Sequence, residues 1–264
     1  MNQPMDYPLY PEFRGKRALI TGGTQGIGKA IAARLARQGA AVMLNYVRND
    51  EAAEETRNEF EQAGYEVGLC RADLASSDEV MKMVADLHEA GPIDVLVCNA
   101  AYQEKKGMFD TDLALLRKTM AVNIYANFQL IKSVAQKLIE AKRPGRMLIC
   151  SSGHGTFVFK GTFAYDVSKA ALNHFMRCAA LELIAHQIRL NAIDIGWTHT
   201  PGERRWFTEE QQNDLASTIP IGRAAHADEI ASVAEFLLSN QASYVVGSLY
   251  GADGGFALKP NPET

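Results

Sequence analysis

At 264 residues the chain is long enough for one sizeable α/β core, and two domains need not be assumed. Hydrophobic residues make up 47% and charged residues 22%, a globular composition that excludes a largely disordered chain. With a net charge of -4 and no basic stripe, a nucleic-acid role has no electrostatic support, and no apolar run is long enough to span a bilayer. The stretch from Met1 to Pro11 is polar and proline-rich and lacks the pattern of a signal peptide, so a soluble, cytoplasmic protein is expected. Cys70, Cys98, Cys150 and Cys178 form no C-x-x-C pair and read as buried free thiols in a reducing compartment. The histidines show no metal-ligand spacing, so no metal site is expected.

Short apolar runs alternate with helix-like stretches along the chain. Arg17 to Ile20 reads as a first strand, followed by a glycine-rich turn. A helix over Ile27 to Gln38 follows, with Ile27, Ile31 and Leu35 on one face and Gly39 as its C-cap. Ala41 to Asn45 is a second strand, Asp50 to Ala63 a charged helix, Glu66 to Cys70 a third strand, Ser77 to Ala90 a helix, and Ile93 to Val97 a fourth strand. After a polar stretch from Tyr102 to Asp112, a long helical region runs from Leu113 to Ala141, and Pro144-Gly145 ends it. Arg146 to Cys150, Ile188 to Ile193 and Ser248 to Tyr250 complete seven strands, with a second long helix over Tyr165 to Ala185. This alternation argues for an α/β fold, a parallel sheet with helices on both faces. Residues 197–220 break the rhythm and read as a substrate lid or, equally simply, a surface excursion or subunit contact.

The turn Thr21-Gly22-Gly23-Thr24-Gln25-Gly26-Ile27-Gly28 lies between a strand and a helix. Glycine lets backbone N–H groups approach a phosphate, and the helix N-terminus adds favourable partial charge. In this position the run points to a dinucleotide, with Gly22, Thr24, Gln25, Gly26, Ile27 and Gly28 as contacts. At the end of the second strand stand Asn45, Tyr46, Val47 and Arg48, with no acid before Asp50. An acid there would grip the ribose hydroxyls of NAD, whereas Arg48 can hold a 2′-phosphate, so NADP(H) is favoured over NAD(H). Arg48 as a plain solvated residue, with dual cofactor use, is the alternative. Asp73 and Leu74, closing the third strand, suit an adenine contact.

Tyr165 and Lys169 stand four residues apart, so on a helix they share a face. A free tyrosine has a pKa of about 10, and a neighbouring ammonium favours the phenolate, which makes the pair an acid/base device. Ser152 stands upstream of it.

Together these residues resemble the short-chain dehydrogenase/reductase family, whose T-G-x-x-x-G-x-G turn and Y-x-x-x-K site they match. The resemblance runs from about Arg14 to Phe256. Cys98-Asn99-Ala100-Ala101 fits the family's N-A-G signature, Asn123 its helix asparagine, Ser151-Ser152 its catalytic serine, and Asp253-Gly254-Gly255 its closing D-G-G. Two positions depart from the pattern: Ala101 replaces a glycine, and Ile195-Gly196 replaces P-G, which predicts a more mobile wall there. The resemblance implies a Rossmann-type, doubly wound, seven-stranded parallel sheet in a single domain over residues 14–258, with an N-terminal extension over 1–13 and a tail over 259–264. It implies hydride transfer between a nicotinamide and a carbinol carbon. Tyr165 would exchange the proton, Lys169 would tune Tyr165 and hold the ribose, Ser152 would bind the substrate oxygen, and Asn123 would support a proton relay through Lys169. Asn99, Ala100, Gly196, Thr200 and, through its backbone, Thr198 would complete the cofactor cleft. A homotetramer built on the two long helices is the family's usual assembly.

The substrate end is less legible. His154 lies two residues past Ser152, as in glucose-dehydrogenase-like members, and could bond a sugar hydroxyl or equally backbone or water. Trp197 and Trp206 could stack on a substrate or pack a lid. The expected activity is an NADP(H)-dependent alcohol or sugar dehydrogenase acting on a small-molecule alcohol or carbonyl. The alternatives are a 3-oxoacyl-thioester reductase and a non-catalytic cofactor-binding scaffold or sensor.

Overall fold

The structure is a computed structural model that describes residues 10–201 and 208–258. Seven parallel strands form one sheet: β1 (Arg17–Ile20), β2 (Ala41–Tyr46), β3 (Val67–Arg71), β4 (Val95–Cys98), β5 (Gly145–Cys150), β6 (Ile188–Ile195) and, last in the chain, β9 (Leu249–Ala252). Two-residue strands β7 (Thr198–His199) and β8 (Ala225–His226) pair with each other outside it. The sheet order is β3-β2-β1-β4-β5-β6-β9. Chain direction along the sheet reverses between β1 and β4, which opens a crevice at the carboxyl ends of these strands, where doubly wound sheets take their ligands. Val95–Cys98 is buried along its whole length, as a parallel strand covered on both faces must be.

Helices cover both faces. On one lie α1 (Gly26–Arg37), α2 (Asp50–Gln62) and α8 (Ala227–Leu238), and their core includes Ile31, Leu35, Phe60, Ile230 and Leu238. On the other lie α3 (Ser77–Glu89), α5 (Ala126–Glu140) and α6 (Phe163–Leu183), around Val84, Leu130, Leu138, Leu172 and Met176. The seven strands of the sequence reading are present, displaced by at most two residues at their ends. The long apolar stretch expected as one helix over Leu113–Ala141 is instead α4 (Leu113–Met120) and α5, joined by a π-helical turn at Ala121–Tyr125. One extra residue in that turn shifts the faces of the two segments relative to each other. Past the masked stretch lies α7 (Glu209–Ser217).

The chain's start is held to this body. Tyr10 and Phe13 are buried in the α1/α8 core, and the Tyr10 N–H donates to Gln38 Oε1 at 2.9 Å. Beneath it, Arg34 of α1 clamps α8: Nε and Nη2 donate to the two oxygens of Asp228 at 2.8 and 2.7 Å, and Nη1 donates to Glu235 at 3.0 Å. Gln38 Nε2 donates to the other Glu235 oxygen at 2.8 Å. Glu235 is buried, so this cluster carries a charge that only its partners make tolerable.

Two sequence expectations are corrected. Cys178 is exposed, because it falls on the outward face of α6, while Cys98 and Cys150 are buried and Cys70 half-buried. The wall at Ile195 is not loosened by losing a proline. Its backbone continues β6 opposite Ala252, and its side chain joins the core. No helix among the described residues is long and apolar enough to cross a membrane, and no group of them could hold a metal ion.

Candidate active site

At the head of β1 the chain enters the glycine turn. The Thr21 hydroxyl oxygen accepts from the N–H groups of Asn99 and Ala100 at 2.9 and 3.0 Å. Asn99 Nδ2 answers by donating to the carbonyls of Thr21 and Gly22 at 2.9 and 3.2 Å. This knot ties β1 to the end of β4. A Cβ on Gly28 would lie 2.3 Å from the Gly22 carbonyl oxygen, so no other residue fits there. Gly26 has φ +54°, and its open side faces Thr200, whose Cβ would lie 3.4 Å from an added methyl. Thr200 therefore roofs the turn. Helices α2, α3 and α4 are capped by the side chains of Asn49, Ser76 and Asp112, whereas α1 has no side-chain cap and no acid in its first turn. An uncapped, glycine-lined N-terminus at the switch point fits a dinucleotide phosphate.

The adenosine end is partly self-contained. Asn45 is buried. Its Oδ1 lies at the limit of hydrogen bonding to the Gly22 N–H, at 3.5 Å, and its Nδ2 donates to the Cys70 and Ala72 carbonyls, each at 3.2 Å. It shapes the cleft floor rather than offering a side chain to a ribose. The Tyr46 hydroxyl donates to Asp50 at 3.0 Å, and Asp50 also pairs with Arg71 at 3.5 Å. Arg48 is exposed. Arg71 is a second cation at this corner that sequence reasoning missed. The signal was its register opposite Tyr46, which only the sheet reveals. Asp73 Oδ1 accepts from the Ala75 N–H at 2.9 Å, and Leu74 is buried in the core, so only backbone remains for an adenine.

At the other end, α6 begins at Phe163 and carries Tyr165 and Lys169 on one face. Lys169 is buried, its Nζ donating to the Cys150 carbonyl at 2.9 Å and lying 5.5 Å from the centroid of the Tyr165 ring. Burial lowers its ammonium to about 8, which Cys150 and Asp194 only partly oppose. At neutral pH it is therefore still mainly a cation, set beside a phenol whose ionised form it favours. Asn123 sits in the π-helical turn. Its Oδ1 accepts from the Tyr102 N–H at 2.8 Å, and its Nδ2 donates to the Tyr102 carbonyl at 3.0 Å and to Ser168 Oγ at 2.8 Å. Ser168 Oγ in turn donates to the Tyr165 carbonyl at 2.7 Å. Asn123 thus holds the first turn of α6 in place, and Ser168, three residues past Tyr165, is the missed link.

Ser152 ends β5 and caps a short turn, its Oγ accepting from the His154 N–H at 3.4 Å. His154 packs edge-on to Tyr165 with ring centroids 5.1 Å apart, and lines a cleft of about 670 Å³ with Met108, Phe157, Phe159 and Val167. Gly196 leaves β6 against Asp253, whose Cα an added Cβ would meet at 2.5 Å. The Thr198 hydroxyl donates to the Gly196 carbonyl at 3.1 Å and is buried, which leaves Thr198 only its backbone to offer. The Trp197 carbonyl accepts from the Ala225 N–H at 2.9 Å, and its ring does not line the cleft. Trp206 lies outside the described residues.

One consequence is measurable without any ligand. Lys169 releases its proton near pH 8 when folded and near 10.5 when unfolded. Between these values the unfolded chain binds more protons at this site, so its contribution to stability grows as pH rises. Urea midpoints are expected to fall further behind in Lys169→Met as pH goes from 8 to 10, after correction for the pH trend common to both proteins.

Comparison with known proteins adds the following. A family model described as Enoyl-(Acyl carrier protein) reductase matches residues 22–257. Glucose 1-dehydrogenase of Gluconobacter oxydans (strain 621H) is 33% identical over 256 residues, 96% of each chain. L-rhamnose 1-dehydrogenase (NADP(+)) of Thermoplasma acidophilum is 30% identical over 249 residues, 94% of this chain and 98% of the relative. A crystal structure from Beutenbergia cavernae, with NADP bound at low occupancy, superposes with a TM-score of 0.88 at 28% identity, covering 93% of this chain and 98% of the other.

Proposed function

We propose, since the chain belongs to the short-chain dehydrogenase/reductase family, that it interconverts an alcohol or sugar hydroxyl and a carbonyl with NADP(H), using Tyr165 as general acid/base. The observation that carries this reading is the buried Lys169 cation, bonded to the Cys150 carbonyl and set 5.5 Å from the Tyr165 ring. A cation held there keeps no other described partner neutralised, and its field bears on the phenol. The bound nicotinamide supplies the hydride acceptor or donor.

The chain's own residues do the rest. Tyr165 takes the proton from the substrate hydroxyl in oxidation and returns it to the carbonyl oxygen in reduction. Ser152 donates to that same oxygen and stabilises charge developing on it. Lys169 favours the phenolate and holds the nicotinamide ribose. Asn123 acts through Ser168 as a positioning residue for Tyr165, alongside the relay expected of it. The glycine turn and the open start of α1 take the pyrophosphate, with Asn99, Ala100, Gly196, Thr198 and Thr200 along the cleft. His154 faces the substrate, and residues 197–220 cover it. The sugar-dehydrogenase relatives support this substrate class.

The NADP(H) preference rests on Arg48, free of acidic neighbours at its own strand end, with Arg71 close by. Arg48→Asp is expected to raise KM for NADPH by about tenfold or more while changing NADH little. Equal losses with both cofactors would remove the basis for the preference. Assembly as a homotetramer is supported by Leu113, Tyr125, Phe128, Val167 and Leu181, large apolar side chains left exposed on α4, the π turn, α5 and α6.

The deciding experiment is an initial-rate panel followed at the reduced-nicotinamide absorbance. It pairs NADP+ and NAD+ with aldoses and polyols, and NADPH with ketones and 3-oxoacyl thioesters. Turnover confined to the thioesters would favour a 3-oxoacyl-thioester reductase, and cofactor binding without any turnover a scaffold.

A further inference from the structure

Two polar side chains beside Tyr165 take no part in proton exchange at its hydroxyl. Asp166, the next residue along α6, is buried. Its Oδ1 meets His154 Nδ1 at 2.5 Å and accepts from Thr162 Oγ1 at 2.8 Å, while its Oδ2 accepts from the Phe159 N–H at 2.8 Å. An ionised carboxylate has no proton to give, so the proton of the His154 contact sits on Nδ1. The imidazole is neutral at pH 7. Burial pushes it below its ordinary value, Asp166 pulls the other way and is outweighed, and Lys169 and Lys105 add to the effect of burial. Asp194, on β6, is a further charged group that senses this ring.

A neutral imidazole with its proton on Nδ1 carries a lone pair on Nε2. That nitrogen has no hydrogen-bond partner among the described residues. The ring cannot easily turn away, since Phe159 lies against it with centroids 4.2 Å apart and Tyr165 meets it edge-on. Phe159 is itself stacked on Phe256, at 6.0 Å, so the C-terminal turn braces the arrangement. The cleft that His154 lines is otherwise walled mainly by Met108, Phe109, Phe157, Phe159 and Val167. In such surroundings one directed polar atom sets orientation and selectivity.

We propose that Asp166 fixes His154 as a hydrogen-bond acceptor in this cleft, and that the acceptor selects substrates bearing a second hydroxyl close to the reacting carbon. The proposal rests on the dehydrogenase role assigned to Tyr165. A lone pair repels a carboxylate, so neutral polyols and sugars are favoured over substrates with an acid at that point. Asp166 is a positioning residue in this scheme, and His154 the group that touches substrate.

Two measurements test it, one of them independent of activity. Nitrogen-15 spectra of histidine-labelled protein at pH 7 should show His154 as the Nδ1–H tautomer, and Asp166→Ala should shift it toward Nε2–H. An Nε2–H or a doubly protonated ring in the wild type overturns the proposal whatever the enzyme turns over. The second measurement compares matched substrates, butane-2,3-diol with butan-2-ol and d-glucose with 2-deoxy-d-glucose. The wild type should favour the first of each pair. His154→Leu should raise KM for the hydroxylated member by about tenfold while leaving the other member and cofactor affinity nearly unchanged. His154→Gln, which keeps an acceptor, should restore part of the preference. Equal slowing of both members by His154→Leu would reduce the ring to packing against Tyr165 and overturn the selectivity. Silence with both pairs also overturns it, while turnover of another substrate group that Tyr165→Phe abolishes would leave the dehydrogenase reading standing.

Discussion

Tyr165→Phe is expected to lower turnover by a factor of about 10² to 10⁴ with cofactor affinity preserved. The substitution deletes one oxygen and keeps the ring. The edge contact with His154 and the position of Lys169 beside the ring depend on the ring alone, and the Ser168 bond reaches the Tyr165 backbone carbonyl. Folding should therefore be intact, which urea denaturation checks. The loss should fall on kcat more than on KM, because the deleted group acts in the proton transfer rather than in holding the ground state. Purified wild type and variant would be compared by initial rate and by cofactor titration. A variant that turns over as fast as the wild type would remove Tyr165 as the proton exchanger and give the scaffold reading the stronger case.

The largest effect on stability is expected far from the cleft. Arg34→Leu leaves Glu235 buried with Gln38 as its remaining neutral donor and strips Asp228 of its two guanidinium bonds. Removing one partner of a buried ion pair costs about 3–5 kcal/mol, because the other charge is left uncompensated. The double variant Arg34→Leu/Glu235→Leu removes both charges and should recover most of that loss. Urea denaturation of the four proteins of this cycle measures it. A single variant that loses less than about 1 kcal/mol would show that Glu235 finds another partner or a proton. Since α1 carries the open phosphate end and α8 follows β8, this cluster also sets how the cofactor turn sits against the wall of the substrate end.

Much of this molecule is legible before folding. Strands such as Val95–Cys98 are unbroken apolar runs, because a parallel strand covered on both faces tolerates nothing else. The glycine turn and the Tyr165–Lys169 spacing are local, so they survive as sequence signals. The break between α4 and α5 does not. Apolar residues continue through Ala121–Tyr125, and one added residue in a turn leaves no compositional mark. Helix α8 was not read at all. It is apolar on most of its surface, buried on α1, and carries its polar signature only in Asp228 and Glu235, whose partners lie about 200 positions away. Strands β7 and β8 are too short to show a period and exist only because each meets the other. Asp166 reads as a spacer inside Tyr165-Asp-Val-Ser-Lys169, and its three partners appear only once the preceding loop folds over it.

The β7–β8 pair fixes Thr198 opposite Ala225 and His199 opposite His226. The chain between them is thus a loop whose two ends are already joined. Lengthening such a loop adds little to its closure entropy, roughly 0.6 kcal/mol for each doubling of its length. The segment over the substrate can therefore be replaced like a cartridge, with its sockets built into the frame. New substrate ranges could be acquired by exchanging residues 200–224 while the nucleotide half of the molecule stays untouched.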